Sequence, residues 1–429
     1  MRHPKSQPTS SSVLLLIPSS SYRANDFMDA ASKLGVSVLV GVDKEPVLST
    51  DQSNTITLDF DDPDRAAKEI FEFHSDTELA AVIAVDDVGT LVAAKASRLL
   101  EIPHNSVQSV EFTRDKFALR NILATTNLPA PKYSLISVGL DESDLALFIE
   151  NVDFPVVLKP RNLSASRGVI RADCPADFIS AYDEISKILL SDSSMSNCPQ
   201  EFRKTILIED YIPGEEYALE GLLDEGNLTT LALFDKPDPL TGPYFEETIY
   251  VTPSRLTVDS QLQIQATVQS ACEILGLSHG PIHAEVRLSA AGCYVIDLAA
   301  RSIGGLCART LSFGSGLALE EILISHAVGA ALETKDIADG ASGVMMIPIP
   351  SQGTYMGVHG LAHARAVENI EEITISVRKG DSLVPLPHGS EYLGFIFSRA
   401  ANPQAAEEAL RRAHAFLDFD IEQNEISPV

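Results

Sequence analysis

The stretch "GPIHAEVRLSAAGCYVIDLAARSIGG" (residues 280–305) decides the reading of this chain. Two apolar-rich runs flank "SAAG", a turn-forming composition, so the segment reads as an antiparallel hairpin. Side chains alternate faces along a strand, which lets Glu285 and Asp297 share the inner one. They lie twelve residues apart with the turn about midway, near 290–292, and are expected roughly opposite each other. Two enclosed carboxylates repel unless a positive charge joins them. Mg2+ suits the pair, because it takes hard oxygen ligands from one or two carboxylates and keeps other positions for water and phosphate oxygens. Arg301 follows in a turn with Gly304 and Gly305, within reach of the same space and able to hold a phosphate or carboxylate bidentately. Alone, the hairpin reads first as a structural ion pair of Glu285 with Arg287 or Arg301.

Upstream, "VVLKPRNLSASRGV" (156–169) puts Lys159 at the end of an apolar strand, before a loop of small residues that includes Ser164, Ala165, Ser166 and Gly168. Such a loop folds backbone N–H groups over phosphates while the lysine supplies a point charge; the other reading is an ordinary hairpin. Arg167 in that loop either reaches phosphate or faces solvent. "IEDYIPGEEYALEG" (208–221) sets Glu209, Tyr211, Ile212, a Pro-Gly turn and Glu216 in close order. It is either an amphipathic strand and turn, or a wall where adenine bonds the backbone and a carboxylate takes the ribose hydroxyls. Between these segments and the hairpin, "LFDKPDPLTGPYFEETIYVTPSR" (233–255) offers Lys236 as a further phosphate contact and Glu246 and Glu247 as holders of a substrate amine, or as exposed loop charges. His283 should share the face of Glu285, as a satisfied core histidine or a substrate contact. Arg309 either binds a substrate carboxylate or makes a salt bridge.

The rest of the chain bounds these readings. In 429 residues, 60 acids against 32 bases give a net charge of −28, which argues against non-specific nucleic-acid binding. An anion bound here needs local cations or a metal to offset the field. The five cysteines show no CxxC spacing, so reduced thiols in the cytoplasm are expected, and metal binding through sulfur is not. No run approaches the ~18 apolar residues of a membrane span. Residues 1–12, "MRHPKSQPTSSS", read as a disordered leader and not a signal peptide.

"SVLLLIPSSSYRANDFMDAASKLGVSVLVGVDKE" (12–45) and "AVIAVDDVGTLVAAKASRLLEIP" (81–103) alternate strand and helix, which predicts a doubly wound parallel sheet. The loop after the first strand lacks the GxGxxG of a dinucleotide site. "TRDKFALRNILATTNLPAPKY" (113–133) predicts a helix capped by Thr113 and running to about Thr126. A hairpin is expected at "DEGN" (224–227), and from Gly343 onward the chain turns strand-rich before a final helix.

In this order the motifs resemble the ATP-grasp superfamily of carboxylate–amine ligases, over about residues 13–419 and most strongly over 113–310. The last section resembles the L-amino-acid (dipeptide) ligase branch. The resemblance implies an α/β and α+β multidomain ATP-grasp fold. Its parts would be an N-terminal doubly wound parallel-sheet domain (13–112), a helical linker and lid (113–213), a catalytic antiparallel-sheet subdomain (214–340) and a C-terminal lobe (341–429). It implies ATP phosphate contacts at Lys116, Lys159 and Arg301, hinge roles for Glu209 and Tyr211, and ribose binding at Glu216. It further implies one or two Mg2+, or Mn2+, on Glu285 and Asp297. The chain departs from the family where Ala299 replaces the usual asparagine and Asp297 the usual glutamate. The implied activity phosphorylates a carboxylate and joins it to an amine, in the cytoplasm, as a monomer or homodimer. The alternatives are a bicarbonate-using carboxylase and a nucleotide-binding scaffold that has lost catalysis.

Overall fold

The computed structural model describes residues 12–19, 21, 23–44, 54–74, 78–191, 195, 198–330 and 340–423; all of the expected leader except Ser12 lies outside them. Strands β1 (Ser12–Leu16), β2 (Val38–Val42), β3 (Thr55–Thr57) and β4 (Leu79–Ala84) form a parallel sheet in the order β3-β2-β1-β4. The unbroken apolar run of β1 follows from burial on both faces. Val13 and Leu15 pack with Phe27 and Ala30 of α1 (Ala24–Leu34). Leu14 and Leu16 pack with α2 (Pro63–His74) and α3 (Asp87–Leu99). The strand order reverses at β1, and the loops leaving β1 and β4 open at that point, where sheets of this kind bind ligands.

Next come α4 (Val107–Arg114) and α5 (Lys116–Leu123), two helices where one was expected. Thr113 is not a cap: its hydroxyl bonds Val110 O inside α4. The cap is Asp115, whose carboxylate accepts from Phe117 N–H. Arg161 grips the same carboxylate through Nε at 3.0 Å and through Nη2, which holds Asp115 in extended backbone and splits the helix. Lys116 thereby becomes the first residue of α5.

The lid is an antiparallel sheet in the order β5-β8-β6-β7, made of β5 (Tyr133–Ser137), β6 (Val156–Pro160), β7 (Ile170–Ala172) and β8 (Thr205–Asp210). It is packed by α6 (Glu142–Ile149) and α7 (Pro175–Ser191), with α8 (Gln200–Lys204) leading into β8.

The central sheet has the order β13-β12-β9-β10-β11-β14-β18-β16. It comprises β9 (Glu215–Asp224), β10 (Asn227–Asp235), β11 (Ile249–Thr252), β12 (Gly280–Ser289), β13 (Gly292–Ala299), β14 (Ala341–Ile347), β16 (Ile370–Ile375) and β18 (Gly394–Ala400). Strands from the C-terminal section therefore extend the catalytic sheet. Apart from them, β15 (Gly353–His359), β17 (Ser382–Leu383) and β19 (Asp418–Glu422) make a small side sheet. Helices α12 (Leu361–Arg365) and α13 (Pro403–His414) pack on the central sheet, α13 against β14 and β18 and α12 against β16. The β9–β10 turn falls at "DEGN" as expected, with Glu225 and Gly226 both at positive φ.

One face of β9, β12 and β13 packs on α5 and α9 (Val258–Leu275) through Leu219, Ala284, Val295 and Leu298. The opposite face of the sheet, at Ala218, Phe234, Met346 and Phe395, joins a single apolar cluster with β1 and α1. That cluster also takes in α10 (Arg309–Ser315) and α11 (Leu319–Ala327). This continuity seats the N-terminal domain against the face that carries the site. No helix among the described residues is long and apolar enough to cross a membrane.

Candidate active site

The hairpin of 280–305 pairs Glu285 directly with Asp297 across β12 and β13. Their shared face continues as a ladder: Glu220 opposite His283 and Glu216 opposite Arg287 from β9, with Ala299 beyond Asp297. The register slips between Glu285 and Val286, so Ile296 is an extra residue, a bulge just before Asp297. Arg120 of α5, fully buried, donates to Val295 O at 2.7 Å and Ile296 O at 2.9 Å, satisfying carbonyls of the bulged strand. Its Nε holds Glu209 at 2.7 Å.

Cations surround the carboxylate pair. Lys236 Nζ lies 2.8 Å from Glu216 and 3.5 Å from Glu285, and also contacts Glu247. Burial alone would lower its pKa, but these three carboxylates raise it well above the ordinary lysine value. Glu285 is pushed up by burial and pulled down more strongly by Lys236 and His283, so it stays ionised far below the usual carboxylate range. Lys116 Nζ bonds Asp297 at 2.8 Å and Leu163 O at 3.1 Å. Arg301 is held by Asp87 of α3 at 2.9 Å through Nε and Nη2 and donates to Ser302 O.

The loop carrying Arg301 is clamped from two sides. Both oxygens of the buried Glu220 accept from Ile303 N–H, at 3.1 and 3.0 Å. Arg23, also fully buried, donates to Ser302 Oγ, Ile303 O and Glu320.

His283 stands between Glu220, 3.2 Å from Nδ1, and Glu285, 3.8 Å from Nε2. Burial would lower its pKa, but the hydrogen bond to Glu220 and the facing carboxylate of Glu285 raise it from 6.5 to about 9. A folded pKa above the unfolded one stabilises the fold fully below pH 6.5, and the gain is lost as pH rises through about 9. The urea midpoint of the metal-free protein is therefore expected to fall between pH 6.5 and 9, and His283→Asn should flatten that fall. Equal slopes in both proteins would contradict the assignment.

The hinge follows the same logic. Lys159, at the end of β6, reaches Glu209 on β8 at 2.5 Å. Burial and the nearby Arg120 lower the Lys159 pKa, against the pull of Glu209. Burial opposes ionisation of Glu209, but Arg120 and Lys159 outweigh it. Glu216 accepts from Lys236 and from Arg287 Nε, each at 2.8 Å. Ile212 O accepts from Arg287 Nη1. The turn between them needs Gly214: at φ +120° a Cβ there would sit 2.0 Å from Leu288 O. Tyr211 stacks on Phe245, with the Arg171 guanidinium 4.0 Å from its ring centre.

Lys116, Lys159, Ser166, Glu209, Tyr211, Ile212, Glu216, His283, Glu285, Asp297 and Arg301 line one cleft of about 420 Å3 between lid, central sheet and N-terminal domain. Lys236 stands just behind its wall, reaching the cleft carboxylates Glu216, Glu247 and Glu285. Two substrate candidates fall elsewhere. Arg309 begins α10, which turns it away from the cleft onto Asp26 at 2.9 Å and Glu372 at 2.8 Å; it joins domains and does not line the site. Of the acid pair Glu246 and Glu247, Glu247 lines the cleft and Glu246 does not. Arg167, placed toward phosphate or solvent by sequence, donates to His388 O of the C-terminal section. Sequence reasoning missed Arg120, Arg23 and Asp87, whose charged partners lie more than 80 residues away. The only local signals were the acid pair ending the β4 run and the arginine in the loop after β1.

Three family models match in chain order: the ATP-grasp N-terminal domain over 28–104, the ATP-grasp domain over 152–310, and L-amino acid ligase C-terminal domain 2 over 345–422. The chain is 21% identical over 412 residues to an uncharacterized protein, y4rH, of Sinorhizobium fredii (strain NBRC 101917 / NGR234), covering 95% of this chain and 83% of that one. It is 28% identical over 210 residues to alanine–anticapsin ligase of Bacillus subtilis (strain 168), covering 46% of this chain and 42% of the ligase. The match to that ligase thus spans under half of its length. An L-amino acid ligase structure from Bacillus licheniformis shares the fold with a TM-score of 0.82 at 24% identity, over 97% of this chain and 100% of that one. The ordered models show that the chain carries an ATP-grasp N-terminal domain, an ATP-grasp domain and C-terminal domain 2 of L-amino acid ligases, and the whole has the fold of the L-amino acid ligase structure.

Proposed function

We propose that this protein is an ATP-dependent carboxylate–amine ligase that joins an amino acid to a second small molecule through an amide bond, in the cytoplasm. The observation that carries the reading is Glu285 set in register against Asp297 and ringed by Lys116, Lys236 and Arg301. Such a ring meets what phosphoryl transfer demands, which is positioning and neutralised charge. The purine would lie in the slot of Val157, Leu163, Val169 and Ile296, against the backbone of Asp210 to Ile212.

The donor set fits Mg2+: two facing carboxylates, both on the cleft. Mg2+ on Glu285 and Asp297 would neutralise the phosphate oxygens. Ala299 offers no side-chain oxygen, so a second ion would rest on water and phosphate. Lys159, Lys116 and Arg301 would hold the triphosphate in line with the substrate carboxylate, while Lys236 fixes Glu216, Glu247 and Glu285 from behind the wall. A carboxylate oxygen attacks the γ-phosphorus, the bond to ADP breaks, and an acyl phosphate forms. The amine then adds to the acyl carbon, loses a proton, and phosphate departs with that carboxylate oxygen. The lid loop bearing Ser166 would exclude water that otherwise hydrolyses the acyl phosphate.

The test is ADP release across pairs drawn from an amino-acid panel, with and without Mg2+, with the product followed by mass. The expected result is ADP formation that needs acid, amine and Mg2+ together, with one amide per ADP. ATP binding without turnover on any pair would overturn the ligase reading.

A further inference from the structure

We propose that Asp224, His279 and His326 form a second metal site, for a divalent transition ion of the Zn2+ type, remote from the catalytic cleft. Asp224 ends β9, His279 precedes β12, and His326 lies in the last turn of α11. None of them lines the cleft. Asp224 stands eight residues along β9 from Glu216, or about 26 Å at the usual strand rise. One ligand atom from each of the three lies within 4.8 Å of the others. His326 Nε2 is 3.6 Å from Asp224 Oδ1. The two imidazole rings lie 4.6 Å apart between centroids, tilted by 34°. Ligands around a tetrahedral Zn2+ sit about 3.3–3.6 Å from one another, so small side-chain shifts close the set.

The scaffold is already held. Asn105 accepts from the N–H groups of Ser278 and His279, at 2.8 and 2.9 Å, and donates to His279 O at 2.7 Å. Gly226 N–H donates to Ser278 O, which ties the turn after Asp224 to the same strand end. His104 adjoins Asn105, and its Nδ1–H donates to Ile102 O at 2.7 Å, leaving Nε2 with the lone pair. The fourth position falls to water.

Ligand chemistry selects the ion. Two imidazoles and one carboxylate favour Zn2+ and its first-row neighbours over Mg2+, which prefers oxygen alone. The bound ion would link the β9–β10 turn to α11, and α11 packs against α1 of the N-terminal domain. It would fix α11, the helix on which α1 packs, to the ends of β9 and β12, independent of the catalytic reading.

The test is titration of Zn2+ into the tag-free, full-length protein by calorimetry in excess Mg2+. One equivalent is expected to bind at micromolar concentration or below and to raise the melting temperature. His279→Ala and His326→Ala should each weaken binding by about 100-fold, and Asp224→Asn by about 10-fold. Glu285→Gln should leave it unchanged, separating this site from the cleft. The melting temperatures of the zinc-free variants should match that of the zinc-free parent. Absence of micromolar Zn2+ binding, or unchanged affinity in both histidine variants, would overturn the proposal.

Discussion

Glu285→Gln is expected to lower kcat by about 10³-fold while leaving the melting temperature within about 3 °C of the parent. The two effects part because the carboxylate has different weights in fold and chemistry. Its cationic neighbours keep other partners: Lys236 retains Glu216 and Glu247, and His283 retains Glu220. The lost contact to Lys236 is the longest of its three, at 3.5 Å. Removing one negative charge therefore strands no buried cation. The same change takes one of two carboxylates from the proposed Mg2+ site, and Ala299 cannot replace it. Turnover and apparent Mg2+ affinity, measured together, check this. A variant that keeps a tenth or more of the parent kcat would place the metal elsewhere.

Arg120→Met is expected to destabilise the protein by about 3–5 kcal/mol, among the largest effects of any single change. The side chain is fully buried and makes three hydrogen bonds, to Glu209, Val295 O and Ile296 O. Methionine fills much of the volume but leaves two carbonyls of a bulged strand unsatisfied and leaves Glu209 with Lys159 alone. The result is read as a fall in the urea midpoint, and adding Glu209→Gln should recover part of it. An unchanged midpoint would mean that water or a neighbouring group satisfies these carbonyls.

The hairpin that decides the reading was legible because strand alternation is local. Counting from the "SAAG" turn set Glu285 against Asp297, and the register agrees. The bulge at Ile296 was not legible, since its cause is Arg120, 176 residues away. The split between α4 and α5 failed for a similar reason. Thr113 and Asp115 are both good capping residues, and Arg161 decides between them from 46 residues downstream. Arg309 followed the site loop closely in sequence, but a helix start changes direction within one turn and carried it onto Asp26. The strand-rich character after Gly343 was visible, whereas the joining of β14, β18 and β16 to the catalytic sheet was not, because pairing partners far apart leave no local pattern.

The most direct measurement follows oxygen. The acid substrate is supplied with both carboxylate oxygens as 18O, and the released phosphate is weighed. Transfer through an acyl phosphate predicts one 18O atom in the inorganic phosphate for every amide formed, with ADP as the nucleotide product. Unlabelled phosphate, or label appearing in AMP with release of pyrophosphate, would contradict the account.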